Sequence, residues 1–141
     1  MTRKKLRIAL CALPISAAAL AIGVSQGFGG SNAVIASIQK NSDSCGVTTG
    51  NKSIGKVTFS VDKGTIYAAV ELRGASPNTT YYVYLYYNYS TTCDWATYSK
   101  VQTDSGGNAK KTLSASIGSY HYWFIDAVDT TDNETPSVHL K

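Results

Sequence analysis

The sequence predicts an all-β fold: a single antiparallel β-sandwich of about seven strands, following a cleaved signal peptide. Three observations lead there. Apolar and polar residues alternate with a period of two through much of residues 56–128, the pattern of strands buried on one face. Clusters of Gly, Asn, Asp, Ser and Pro interrupt that alternation at short intervals, as turns between strands do. No part of this region carries the apolar period of a helix, so sheet alone must build the core.

The chain opens with an address. Arg3, Lys4, Lys5 and Arg7 form a basic start, and residues 8–24 are an uncharged, mostly apolar run. Small residues follow, and both Ser31-Asn32-Ala33 and Val34-Ile35-Ala36 fit an A-x-A-like cleavage site. This is the pattern of a secretory signal peptide. Residues 1–36 are assigned to it and residues 37–141 to the sandwich domain. A retained anchor is the competing reading, because the apolar run is near the lower limit for a membrane span. Pro14 and the small residues after the run favour removal. Cys11 follows Leu10, where a lipoprotein signal wants a small residue, and lies too early for one. The expected localisation is secreted, with no membrane association after leader cleavage.

Removing the leader changes the electrostatic reading. Its basic residues equal the formal net charge of +4, so the exported part is near neutral. A basic protein would suggest nucleic acid or an anionic membrane; here the excess leaves with the leader, and no nucleic-acid partner is expected. Cys45 and Cys93 remain. An even number in an oxidising destination predicts a disulfide. Closing a loop of about 48 residues would contribute roughly 4 kcal/mol in the chain-entropy account.

The elements follow in order. Residues 37–51, rich in Ser, Thr, Asn and Gly, read as an irregular start pinned by Cys45. Val57, Phe59 and Val61 alternate with Lys56, Thr58 and Ser60, and Asp62-Lys63-Gly64 turns the chain. Ile66, Ala68, Val70 and Leu72 then alternate with Tyr67, Ala69, Glu71 and Arg73, completing a hairpin. Residues 74–80 turn into a strand dense in tyrosine. Tyr81, Val83, Leu85 and Tyr87 share one side of it, a credible core face, and Tyr82, Tyr84 and Tyr86 share the other. Further strands are expected at residues 95–101, 109–117, 120–128 and 137–140. Between them lie the turn Thr103-Asp104-Ser105-Gly106-Gly107-Asn108, the break Gly118-Ser119 and a loop at 129–136.

The run Leu72-Arg73-Gly74-Ala75-Ser76-Pro77-Asn78-Thr79-Thr80-Tyr81-Tyr82-Val83-Tyr84-Leu85 resembles the turn and strand of fibronectin type III domains, an immunoglobulin-like fold. The resemblance implies that Tyr81 is a tyrosine-corner residue, with its ring in the core and its hydroxyl bonded to nearby backbone. In that family this strand lies near the end, whereas three more are expected here. The arrangement, with its Thr-Asp-x-Gly-x-Asn turn, also resembles small secreted bacterial β-sandwich proteins. Neither likeness carries a function.

The outward tyrosines have two readings. Tyrosine suits strands intrinsically, so Tyr82, Tyr84 and Tyr86 could simply pack under a loop. Alternatively, rigid rings with polar tips make a binding platform, which Trp95 and Tyr98 would extend. The partners expected for it are a carbohydrate, a cell-envelope component or a protein. An enzyme is not expected. The chain lacks G-x-S-x-G, H-E-x-x-H, a glycine-rich phosphate loop and a free cysteine in its exported part. Asp126, Asp129, Asp132 and Glu134 lack EF-hand spacing, and His121 and His139 lack a tight metal-binding spacing, so no metal and no cofactor are expected. The leading expectation is a secreted, non-catalytic binding module using the tyrosine face. The alternatives are an inhibitor, toxin or antimicrobial factor acting through a loop around residues 95–99, and a small metal-dependent or hydrolytic enzyme using His121 and the acidic loop.

Overall fold

A computed structural model describes residues 33–40, 45–46, 52–89 and 92–141. The expected signal peptide lies outside the described residues up to residue 32, as does most of the expected irregular start. The strands are β1 (Val34–Lys40), β2 (Ser53–Asp62), β3 (Thr65–Leu72), β4 (Thr80–Tyr89), β5 (Thr92–Gln102), β6 (Ala109–Ser116), β7 (Tyr122–Val128), β8 (Asn133–Glu134) and β9 (Val138–His139). Two of these are two-residue pieces, which leaves seven substantial strands.

The all-β, antiparallel expectation holds, and the arrangement differs in one respect. The strands form one continuous sheet in the order β5-β4-β7-β8-β1-β2-β3-β6, with β9 on β7. A division into two separate sheets is not confirmed. The short β8 is the reason: Glu134 pairs with Asp126 of β7 and with Gln39 of β1, joining the two halves. The end strands β5 and β6 lie against each other without a shared ladder, so the sheet curls almost into a barrel. One core fills it. Phe59, Tyr81, Leu85, Trp123 and Ile125 are all buried there.

Turn chemistry sets the registers. Asp62 pairs with Thr65, so the β2–β3 loop is only Lys63-Gly64, both with positive φ. That is the tight hairpin turn whose twist matches the strands, and Gly64 adopts it without a steric cost. In the turn after β5, the Asp104 carboxylate accepts backbone N–H bonds from Gly106 and Asn108 at 2.8 Å each. The Asn108 bond is the chief cause of its lowered pKa. Gly107 (φ 74°) presses on the Ala75 carbonyl, where any side chain would collide. Buried Thr103 locks this turn to the one before β4. Its hydroxyl donates to the Ser76 carbonyl at 2.7 Å and accepts the Thr79 N–H at 2.9 Å.

Tyr81 behaves as the fibronectin resemblance implies. It is 2% exposed, and its hydroxyl accepts the Ser76 N–H at 3.0 Å. The start of the domain is different from expectation. Residues 37–40 are not irregular but complete β1, which begins at Val34 and pairs with β2 from Val34↔Phe59 to Gln39↔Ser53. Ala36 and Ile38 point into the core. Counting Val34, Ile35 and Ala36 with the leader had hidden this alternation. A smaller difference concerns His121, which precedes β7 and is exposed rather than alternating within it.

Candidate functional site

Strand β4 lies between β5 and β7, so each outward tyrosine meets one residue on either side. Tyr82 faces Lys100 and Val128, Tyr84 faces Tyr98 and Asp126, and Tyr86 faces Trp95 and Phe124. The expected binding residues Tyr82, Tyr84, Tyr86, Trp95 and Tyr98 therefore come together on one outer surface. Tyr84 stacks on Tyr98 with centroids 5.4 Å apart. Trp95 meets Tyr98 edge-on at 5.8 Å and Tyr84 at 6.4 Å. The Lys100 ammonium sits 5.1 Å from the Tyr82 centroid, a cation–π contact.

A β-bulge makes this possible. Trp95 and Tyr98 are three residues apart, and a regular strand would place them on opposite faces. The register shifts between Leu85 and Tyr86, so Ala96 has no partner across the ladder and both rings emerge on the tyrosine side. A bulge re-aims side chains in this way. Residues 95–99 thus belong to β5 and are not the loop that one alternative required.

Exposure grades across the surface. Trp95 is 49% and Tyr98 50% exposed, and Tyr82 is 37%. Towards β7 the surface closes: Tyr86 stacks on Phe124 at 4.9 Å, and Phe124 is fully buried although it lies on the outer side. Its cover is the segment at Gly46, where a side chain would run into Phe124 and Ser137. The expected disulfide holds that segment. Cys45 and Cys93 are bonded, with Cα atoms 5.8 Å apart, and the Asn88 amide donates to the Cys45 carbonyl at 3.2 Å. Gly46 itself donates its N–H to Glu134 at 2.9 Å. Packing and platform therefore divide the row, with Tyr86 packed and the β5 side open.

Beside the rings lies an acidic group on β7, within the strand expected at residues 120–128. Asp126 is 6% exposed, and burial, helped by the charge of Asp132, pushes its carboxyl up to about 7 despite the Asn133 N–H it accepts. Burial likewise raises the Tyr86 hydroxyl, with Asp126 adding to the effect. Asp129 departs in the other direction. Burial would raise it, but bonds from the Thr131 and Thr130 backbone and the Thr131 and Tyr81 side chains outweigh that and lower it. Among the described residues, no three His, Cys, Asp or Glu side chains converge to hold a metal ion. His121 and His139 do meet, with ring centroids 5.8 Å apart.

Phe124 and Lys100 were missed from the sequence, and Asp126 was weighed there only as a metal ligand. Phe124 and Asp126 share the parity of Tyr122 in β7 and so were readable as outward. Which strand they would face was not readable.

Comparison with protein-family models, with curated proteins and with solved structures finds no match for this chain.

Proposed function

We propose that this is an exported, non-catalytic binding module whose open aromatic surface on β4 and β5 holds a carbohydrate. The observation that carries the reading is the convergence of Trp95, Tyr98, Tyr84 and Tyr82, three of them at least a third exposed, on one side of a disulfide-anchored sheet. A sugar presents C–H bonds on its ring faces and hydroxyls at its rim. Flat rings with phenolic tips match both, at low entropic cost because these side chains are stiff. The rings stand side by side across β4 and β5, which suits a chain of sugars with successive ring faces. Export is supported by the basic and apolar start of the chain and by the disulfide.

The test is titration with cellohexaose and chitohexaose while tryptophan fluorescence is followed. Of the two tryptophans, Trp123 is fully buried, so a ligand-induced change reports Trp95. Saturable change with either oligosaccharide is expected. It should weaken strongly in Tyr82→Ala/Tyr98→Ala, which keeps Trp95 as the reporter, while the melting temperature stays within a few degrees. No saturable change with either would overturn the reading.

A further inference from the structure

The other half of the sheet carries a separate cluster. Lys56 of β2, Glu71 of β3 and Lys110 of β6 occupy one cross-strand row. The Glu71 carboxylate takes three cations: Lys56 at 3.5 Å, Lys110 at 3.0 Å and Arg73 at 2.8 Å. Its side chain is 14% exposed against 54%, 77% and 68% for theirs. The carboxylate is thus a floor ringed by exposed positive heads. Arg73, then Lys110, hold it at about 2 against the opposing effect of burial. One negative charge cannot neutralise three positive ones.

Three concavities adjoin this ring. One of about 550 Å³ runs from Lys56, Lys110 and Lys111 over Thr58, Ala69 and Thr112, the small Ala69 lowering its floor. A second, about 450 Å³, reaches from Arg73 to Asp104 and Asn108. A third, about 290 Å³, reaches from Lys56 and Arg73 to Ser37 and Ser53. Together they make a track across β1, β2, β3 and β6, roughly 14 Å at the usual strand spacing.

We infer that this track binds an acidic polysaccharide, with sugar carboxylates on Lys56, Arg73 and Lys110 and sugar hydroxyls on Ser37, Ser53, Thr58 and Thr112. Charge complementarity names the anion. The length exceeds what a single small anion needs, and the hydroxyl lining suits sugars. Among the described residues no aromatic ring lines the track, so it lacks the stacking surface that single-stranded nucleic acid uses. The inference is independent of the aromatic surface.

The experiment is binding of the disulfide-bonded protein to polygalacturonate and to its fully methyl-esterified, uncharged form. Binding to the acid form alone is expected, weakening with salt as charges are screened over about 10 Å at 0.1 M. Lys56→Gln/Lys110→Gln should weaken it about tenfold, and Glu71→Gln should strengthen it about threefold by removing the internal competitor. Exposed ion pairs contribute little to stability. Should the double variant fail to fold, Lys110→Gln alone, at the most exposed of the three cations, is expected to weaken binding about threefold. Trp95→Ala/Tyr98→Ala should bind polygalacturonate like the parent. Equal binding of both polymers, no binding, indifference to these charge changes, or preference for DNA or polyphosphate would each overturn the inference.

Discussion

Two residues show how a single group couples local chemistry to stability. The Tyr81 hydroxyl accepts the Ser76 N–H inside a nearly closed surface. Tyr81→Phe strands that donor, so urea denaturation should show a loss of about 1–2 kcal/mol with sugar binding unchanged. Asp126 makes a pH prediction. Its carboxyl titrates near 3.8 when unconstrained and at about 7 in the fold, so between those values the native state holds a proton that the unfolded chain has lost. Its favourable contribution is complete below the unfolded value and gone once the pH passes the folded one. Asp126→Asn should therefore melt with the parent at pH 4 and several degrees above it at pH 8. An equal difference at both pH values would show that Asp126 is not held protonated.

At the scale of elements, β1 and the β5 bulge matter most. Cleavage after Ala36 would remove Val34, Ile35 and Ala36, which pair with Phe59, Thr58 and Val57. Cleavage after Ala33 leaves β1 whole. Mass spectrometry of the exported protein is expected to read Val34 as its first residue, and a version starting at Ser37 should melt lower. Deleting Ala96 removes the extra residue of the bulge. Trp95 and Tyr98 then stand two residues apart and still face Tyr86 and Tyr84 on one side of an unbroken ladder, so the fluorescence response to oligosaccharide should be retained. The alternation within β2, β3 and β4 was legible because period two is a local property. The bulge was not, since only pairing with Leu85 and Tyr86 reveals an extra residue opposite them.

At the scale of the molecule, the disulfide joins cysteines 48 residues apart and seals the rim above Phe124. Replacing Cys45 and Cys93 by serine is expected to cost about 3–4 kcal/mol and to shift the Trp95 signal, as measured by denaturation with tryptophan emission. Charge teaches the complementary lesson. Summed along residues 37–141 it is near zero, which argued for a neutral surface. Folding separates it, gathering Lys56, Arg73 and Lys110 around Glu71 and Asp126, Asp132 and Glu134 beside the rings. The sequence by itself determined the all-β class, the paired cysteines and the inward half of the tyrosine strand, because alternation, turn chemistry and cysteine number are properties of neighbouring residues or of composition. Only the tertiary structure decided that Trp95 and Tyr98 share a face with the tyrosines, that β1 belongs to the domain and that a cation ring surrounds Glu71. Those depend on which strands pair and in what register, and residues far apart in the chain settle that together.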